Sequence, residues 1–101
     1  MAFKEDDTSA VIKLQLVDCI REIIIEKGWT QTQAAQELSI SRARLCRILG
    51  GQIKDVSEGR LLKCLTRLGR DIQINISHKH AGTGEVVVVN GSPQNSEFKA
   101  R

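Results

Sequence analysis

The apolar positions of this chain change period near residue 70. Up to that point they recur at helical spacing. Leu16, Ile20, Ile23 and Ile24 form one stripe of a helix expected over residues 9–27, with Leu14, Val17 and Ile25 widening its apolar surface. Gly28 follows where a helix ends most easily. Thr30 and Gln33 stand at capping-box spacing and open a short second helix over 31–38, with Ala34, Ala35 and Leu38 inward. Ser39 and Ile40 form a turn, and Ser41 caps a third helix over 42–49, with Leu45, Ile48 and Leu49 inward. The Gly50-Gly51 pair ends it. Ser57 caps a fourth helix whose buried face is expected to be Leu61, Leu62, Leu65 and Leu68, and Gly69 closes it. Ile40 with Leu45, and Val56 with Leu61, stand at hydrophobic-staple spacing.

Beyond residue 70 the period is two. Ile72, Ile74 and Ile76 alternate with Gln73, Asn75 and Ser77. After the turn signal Gly82-Thr83-Gly84 come Val86, Val87, Val88 and Val89. These segments predict a β-hairpin, apolar on both faces of its second strand. A lone hairpin is marginal in water, so these seven Ile and Val residues are expected to be covered by a second chain. The expected organisation is a flexible N-terminus (1–8), a helical domain (9–69), a hairpin that dimerises (70–90) and a flexible polar tail (91–101). The fold class is mainly α, a helical bundle with a C-terminal β-hairpin.

Charge sharpens the picture. The net charge is only +3. Yet residues 41–70 carry Arg42, Arg44, Arg47, Lys54, Arg60, Lys63, Arg67 and Arg70 against only Asp55 and Glu58. A basic field concentrated in the middle third attracts polyanions. The two helices over 31–38 and 42–49, joined by a very short turn with Ala35 at their close approach, form a helix-turn-helix. In that arrangement the second helix enters the major groove of DNA.

The stretch from Trp29 to Gln52 resembles the Cro/C1-type repressor domain, also called the XRE family. The resemblance rests on Thr30-Gln31, Ala35, Leu38-Ser39-Ile40-Ser41, Arg42 and Gly51. It departs at Ser39, where Gly is usual, and at Cys46, where Ser is common. A serine at that turn either takes a positive φ or shifts the geometry. The resemblance implies a Cro/C1-repressor-like bundle and a set of DNA contacts. Gln31 would touch backbone or a flanking base. Ser41 would donate to a phosphate as well as cap. Arg42 would read guanine, Ala43 would meet a thymine methyl, and Arg47 would be a second base reader. Arg44 and Lys54 would hold phosphates. Arg60, Lys63 and Arg67 are read as the solvated outer face of the fourth helix.

Similarity extends along Gly51-Gln52-Ile53-Lys54-Asp55-Val56-Ser57, the Leu-rich fourth helix and Leu68-Gly69-Arg70-Asp71-Ile72-Gln73-Ile74-Asn75-Ile76. That part resembles a narrower branch, HigA-type antitoxins paired with RelE/HigB-like toxins. Two functions are therefore weighed. One is a sequence-specific transcriptional repressor binding a palindromic operator in double-stranded DNA as a homodimer. The other is an antitoxin that neutralises a toxin and regulates its own operon.

Other chemistry is disfavoured. The chain has no nucleophile–base pair, no phosphate-cradling glycine loop and no metal set, so neither enzyme activity nor a cofactor is expected. His78 and His80 lack a third ligand and are read as a hairpin tip. Aromatic residues are 3%, too few for RNA recognition by stacking. Trp29 is read as a lid on the core. Cys19, Cys46 and Cys64 are odd in number and widely spaced, and each is read as a small buried hydrophobe. The acidic start and the absence of a long apolar run point to the cytoplasm and away from a membrane.

Overall fold

The computed structural model describes residues 5–77 and 81–90, with side chains from residue 8 onward. Four helices follow one another: α1 (Glu5–Lys27), α2 (Gln31–Leu38), α3 (Arg42–Leu49) and α4 (Glu58–Arg67). The α1 helix starts four residues earlier than its apolar stripe suggested. An acidic opening suits the positive end of a helix dipole. Ser9 does not cap it; its hydroxyl donates to Glu58 Oε2 of α4 at 2.6 Å.

Each helix is started and stopped by local chemistry. Thr30 caps α2 in a complete capping box: its Oγ1 accepts from Gln33 N at 3.1 Å, and Thr30 N donates to Gln33 Oε1 at 2.8 Å. Ser41 Oγ accepts from Arg44 N, and Ser57 Oγ accepts from Arg60 N. All four helices end in the same paired reversal, in which two successive amides past the end reach back to carbonyls of the last turn. The first of those residues takes a positive φ: Gly28, Ser39, Gly51 and Gly69 in order. Ser39 is the exception in kind. It sits at φ 59°, ψ 41°, so of the two options open to a serine at this turn, the left-handed one holds.

One core unites the four helices. From α1 it takes Leu16, Val17, Ile20, Ile23 and Ile24, and from α2 Ala34, Ala35 and Leu38. The α3 helix gives Leu45 and Ile48, and the following loop gives Ile53 and Val56. Leu61, Cys64, Leu65 and Leu68 close it from α4. Leu62 and Leu49 are half-buried rather than core, because the inward stripe of α4 runs 61, 64, 65, 68 and so uses Cys64 in place of Leu62. Trp29 packs partly buried against the core, as a lid would, with Lys27 Nζ 5.4 Å from its ring centre. The widened surface of α1 divides: Val17 is buried, while Leu14 and Ile25 are exposed.

The β-hairpin is not present among the described residues. Residues 71–77 and 83–90 carry no regular secondary structure, 81–82 form a bend, and the two segments form no ladder with each other. The second segment instead takes its cover from α1. Val88 N donates to Gln15 Oε1 at 3.0 Å, and Asn90 Nδ2 donates to Glu22 Oε1 at 2.6 Å. Val88 is thereby half-buried against the core, while Val86, Val87 and Val89 remain exposed, as do Ile72, Ile74 and Ile76. A two-stranded ribbon has nothing of its own to cover it, and the helix surface competes for one strand. Residues 1–4, 78–80 (with His78 and His80) and the tail from 91 lie outside the described residues.

Candidate nucleic-acid interface

The geometry starts with how α3 is held. Its inner face is fixed by Leu45 and Ile48 in the core. Its far end is tied to α1 by Arg21, whose guanidinium donates to the Leu49 carbonyl and pairs with Asp18 at 2.7 Å. The turn before it is held by Arg67 of α4, which donates to Ser39 Oγ at 3.0 Å. Both ends of α3 are therefore clamped to other helices, and only its outer face is left open. Clamping of this kind presents side chains on a rigid element, as base reading requires.

That outer face consists of Arg42, Ala43, Cys46 and Arg47, all exposed. Positions 42 and 46, and 43 and 47, are one turn apart, so the four make a continuous strip. No acidic residue lies in α3. Ser41 at its N-cap is exposed, and its Oγ is already the acceptor for Arg44 N. Gln31, the first residue of α2, is half-buried.

Arg44 departs from the strip. It is half-buried and turns toward an open hollow of about 400 Å³ behind α3, lined also by Arg47, Gly51, Gln52, Lys54 and Asp55. Its Nε is buried without a hydrogen-bond partner among the described residues. Three cations, Arg44, Arg47 and Lys54, thus surround one concave site with a single carboxylate, Asp55. The candidate base readers Arg42 and Ala43 stand apart from it on the first turn of α3.

Two features escaped the sequence reading. Cys46 is exposed on the outer strip of α3 rather than buried; it lies one turn from Arg42, and that spacing was the available signal. Arg67 does not simply face solvent, since it ties α4 to Ser39. Arg60, Lys63 and Arg67 line a second, smaller hollow of about 180 Å³ with Leu38, Ser39, Ile40 and Cys64. The other two thiols differ from Cys46. Burial pushes the pKa of Cys64 up, and burial followed by the charges of Glu22 and Asp18 does the same for Cys19.

A family profile described as a helix-turn-helix domain matches residues 2–77. A solved structure provisionally named as an XRE family transcriptional regulator superposes with a TM-score of 0.80 at 24% identity, covering 85% of this chain and 99% of that one. At that identity the likeness speaks for the fold: the four-helix arrangement that positions α3 is shared. No curated protein matches the chain. No helix among the described residues is long and apolar enough to cross a membrane.

Proposed function

The chain belongs to the helix-turn-helix domain family, and on that premise we propose that it is a sequence-specific DNA-binding transcriptional regulator that lays α3 in the major groove. The observation that carries this reading is the acid-free outer strip of α3 with its two exposed arginines, presented on a helix clamped at both ends. Arg42 and Arg47 read base edges, and Ala43 meets a thymine methyl. Arg44 and Lys54 hold backbone phosphate in the hollow behind α3, with Gln31 and Ser41 at the flank. The chain acts in the cytoplasm, as a repressor, by occupying its operator. A single α3 reads only a few base pairs, so two copies on a palindromic site are required. No catalytic role and no cofactor belong to this reading.

The test is selection of binding sites from random duplexes, followed by binding at several salt concentrations. Arg42→Ala and Arg47→Ala are expected to cost about 1–3 kcal/mol each on the selected site and much less on random DNA. Lys54→Ala is expected to lower the log–log salt slope by about one unit per subunit. A flat salt response with no enriched site overturns the reading.

A second reading draws on the exposed Ile and Val side chains beyond α4, which offer a protein partner an apolar surface. In it the chain is an antitoxin that binds a RelE/HigB-like toxin and represses its own operon. A toxin that co-purifies with the chain and loses its activity when bound would favour this second role.

A further inference from the structure

The cationic side chains of the bundle fall into two groups. Some have structural work. Arg21 donates to the Leu49 carbonyl and pairs with Asp18, Arg67 donates to Ser39, and Arg70 pairs with Glu26. Arg44, Arg47 and Lys54 have none. They line the hollow of about 400 Å³ behind α3, and among the described residues no ion pair engages them. Arg44 even keeps its Nε buried without an acceptor. The floor beneath these cations is apolar, since Ile48 and Ile53 of the core line it too. Its wall is preset. Gln52 N donates to the Arg47 carbonyl at 2.9 Å, and the Ile53 carbonyl accepts from Lys13 Nζ at 3.3 Å. Asp55 is the one acid in the lining, so three cations less one carboxylate leave two positive charges in excess. Arg47 belongs both to this lining and to the outer strip of α3.

We propose that this hollow is an effector site for a small phosphate monoester of nucleoside-monophosphate size, whose binding excludes DNA. The inference rests on the proposed function, in which a backbone phosphate uses the same cations. Charge favours the monoester. A backbone phosphodiester carries one negative charge, whereas a monoester carries about −1.5 to −2 at neutral pH. The excess of two cations therefore matches the monoester better than a single duplex phosphate. An apolar floor under a cationic rim suits a phosphate joined to an organic body rather than a bare anion. Asp55 accepts from a hydroxyl or amine of that body. The volume falls within the range of small-molecule sites. Arg47 couples the hollow to DNA. It cannot hold the effector's phosphate and read a base edge at once, and the bound dianion repels the duplex phosphate. Effector and duplex then weaken each other by the same factor.

The experiment titrates the full chain by calorimetry at about 0.15 M salt, with adenosine monophosphate as the probe. It is expected to bind about tenfold more tightly than inorganic phosphate and than cyclic AMP, a singly charged diester. Adenosine is expected not to bind. Lys54→Ala and Arg44→Gln should each weaken the probe about tenfold, while Arg60→Ala, at the other hollow, should not. Circular dichroism checks each fold, and Lys54 is exposed, so its variant keeps the helices even if Arg44→Gln does not. Amide shifts on titration should centre on Gln52 and Lys54 rather than on Ser39 and Lys63. Saturating probe should lower affinity for the selected duplex about tenfold, with adenosine at matched ionic strength lowering it by nothing. Absent binding, or binding that Lys54→Ala leaves intact, overturns the site. A probe no tighter than inorganic phosphate overturns the organic ligand, and one that binds beside the duplex without weakening it overturns the exclusion. The two readings fail separately. A chain that selects one duplex but ignores the probe keeps DNA binding and loses the effector, and a chain that takes the probe but selects no duplex does the reverse.

Discussion

Leu61 in α4 and Ile76 beyond it are both branched aliphatic side chains set in a regular apolar period, yet Leu61 is 0% exposed and Ile76 is 87% exposed. In α4 the inward positions 61, 64, 65 and 68 find α1 already apolar along its length, and the two surfaces close on each other. In the segment beyond α4 the alternating apolar positions 72, 74 and 76 are exposed instead. The same kind of pattern is therefore core in one region and an open surface in the other. The difference lies in whether the chain itself supplies a second face. Residues 85–90 show the intermediate case, in which one of four valines, Val88, is half-buried where its N donates to Gln15 of α1 and the neighbouring Asn90 donates to Glu22.

The widest separation between the two regions should come from truncating one residue in each. Leu61→Ala is expected to cost about 2–5 kcal/mol in urea unfolding, as buried leucines do. Ile76→Ala should leave the unfolding midpoint of the dilute chain unchanged within about 0.5 kcal/mol. Equal losses would erase the distinction between core and open segment.

A smaller contrast sets a helix cap against the anchor of residues 85–90. Thr30→Ala removes the acceptor for Gln33 N, one half of the capping box, for an expected loss of about 1 kcal/mol in global stability. Gln15→Ala removes the acceptor for Val88 N. Its expected effect is local: faster amide exchange at Val88, with α2 and α4 protection unchanged. A global loss from Gln15→Ala would show that residues 85–90 belong to the cooperative core.

The turn of the helix-turn-helix offers a finer test. Ser39→Gly relieves a left-handed serine but removes the acceptor of Arg67 Nη2. The strain is worth about 1 kcal/mol and an exposed hydrogen bond about the same, so the net shift is expected within about 0.5 kcal/mol of zero. Ser39→Ala keeps the positive φ and loses the bond, and it should be the less stable of the two.

The smallest effect is electrostatic. The Ser9 hydroxyl beside Glu58 holds that carboxyl below its ordinary value of 4.5. A depressed carboxylate pKa contributes stability that is present above the unfolded value and is lost as pH falls through the folded one. In Ser9→Ala the Glu58 carboxyl should titrate at higher pH by NMR, and acid unfolding should begin correspondingly earlier. An unmoved Glu58 titration would mean that the α1–α4 contact does not depend on this bond.

The helical part of the molecule was legible from sequence because its information is local. Thr30, Ser41 and Ser57 cap through hydroxyls acting three residues away, and Gly28, Gly51 and Gly69 end helices through a backbone freedom that belongs to the residue itself. The 3.6-residue period then names the buried face, with errors only at its margin, as at Leu62 and Leu49. The arginines of α3 could be placed on its first turns for the same reason. Tertiary packing decided the rest. It turned Arg44 into a hollow, left Cys46 on the open strip and gave Arg67 a partner across 28 residues of sequence. It also sent residues 85–90 to α1 rather than to residues 72–76, because period two specifies an extended strand but says nothing about which edge will meet it.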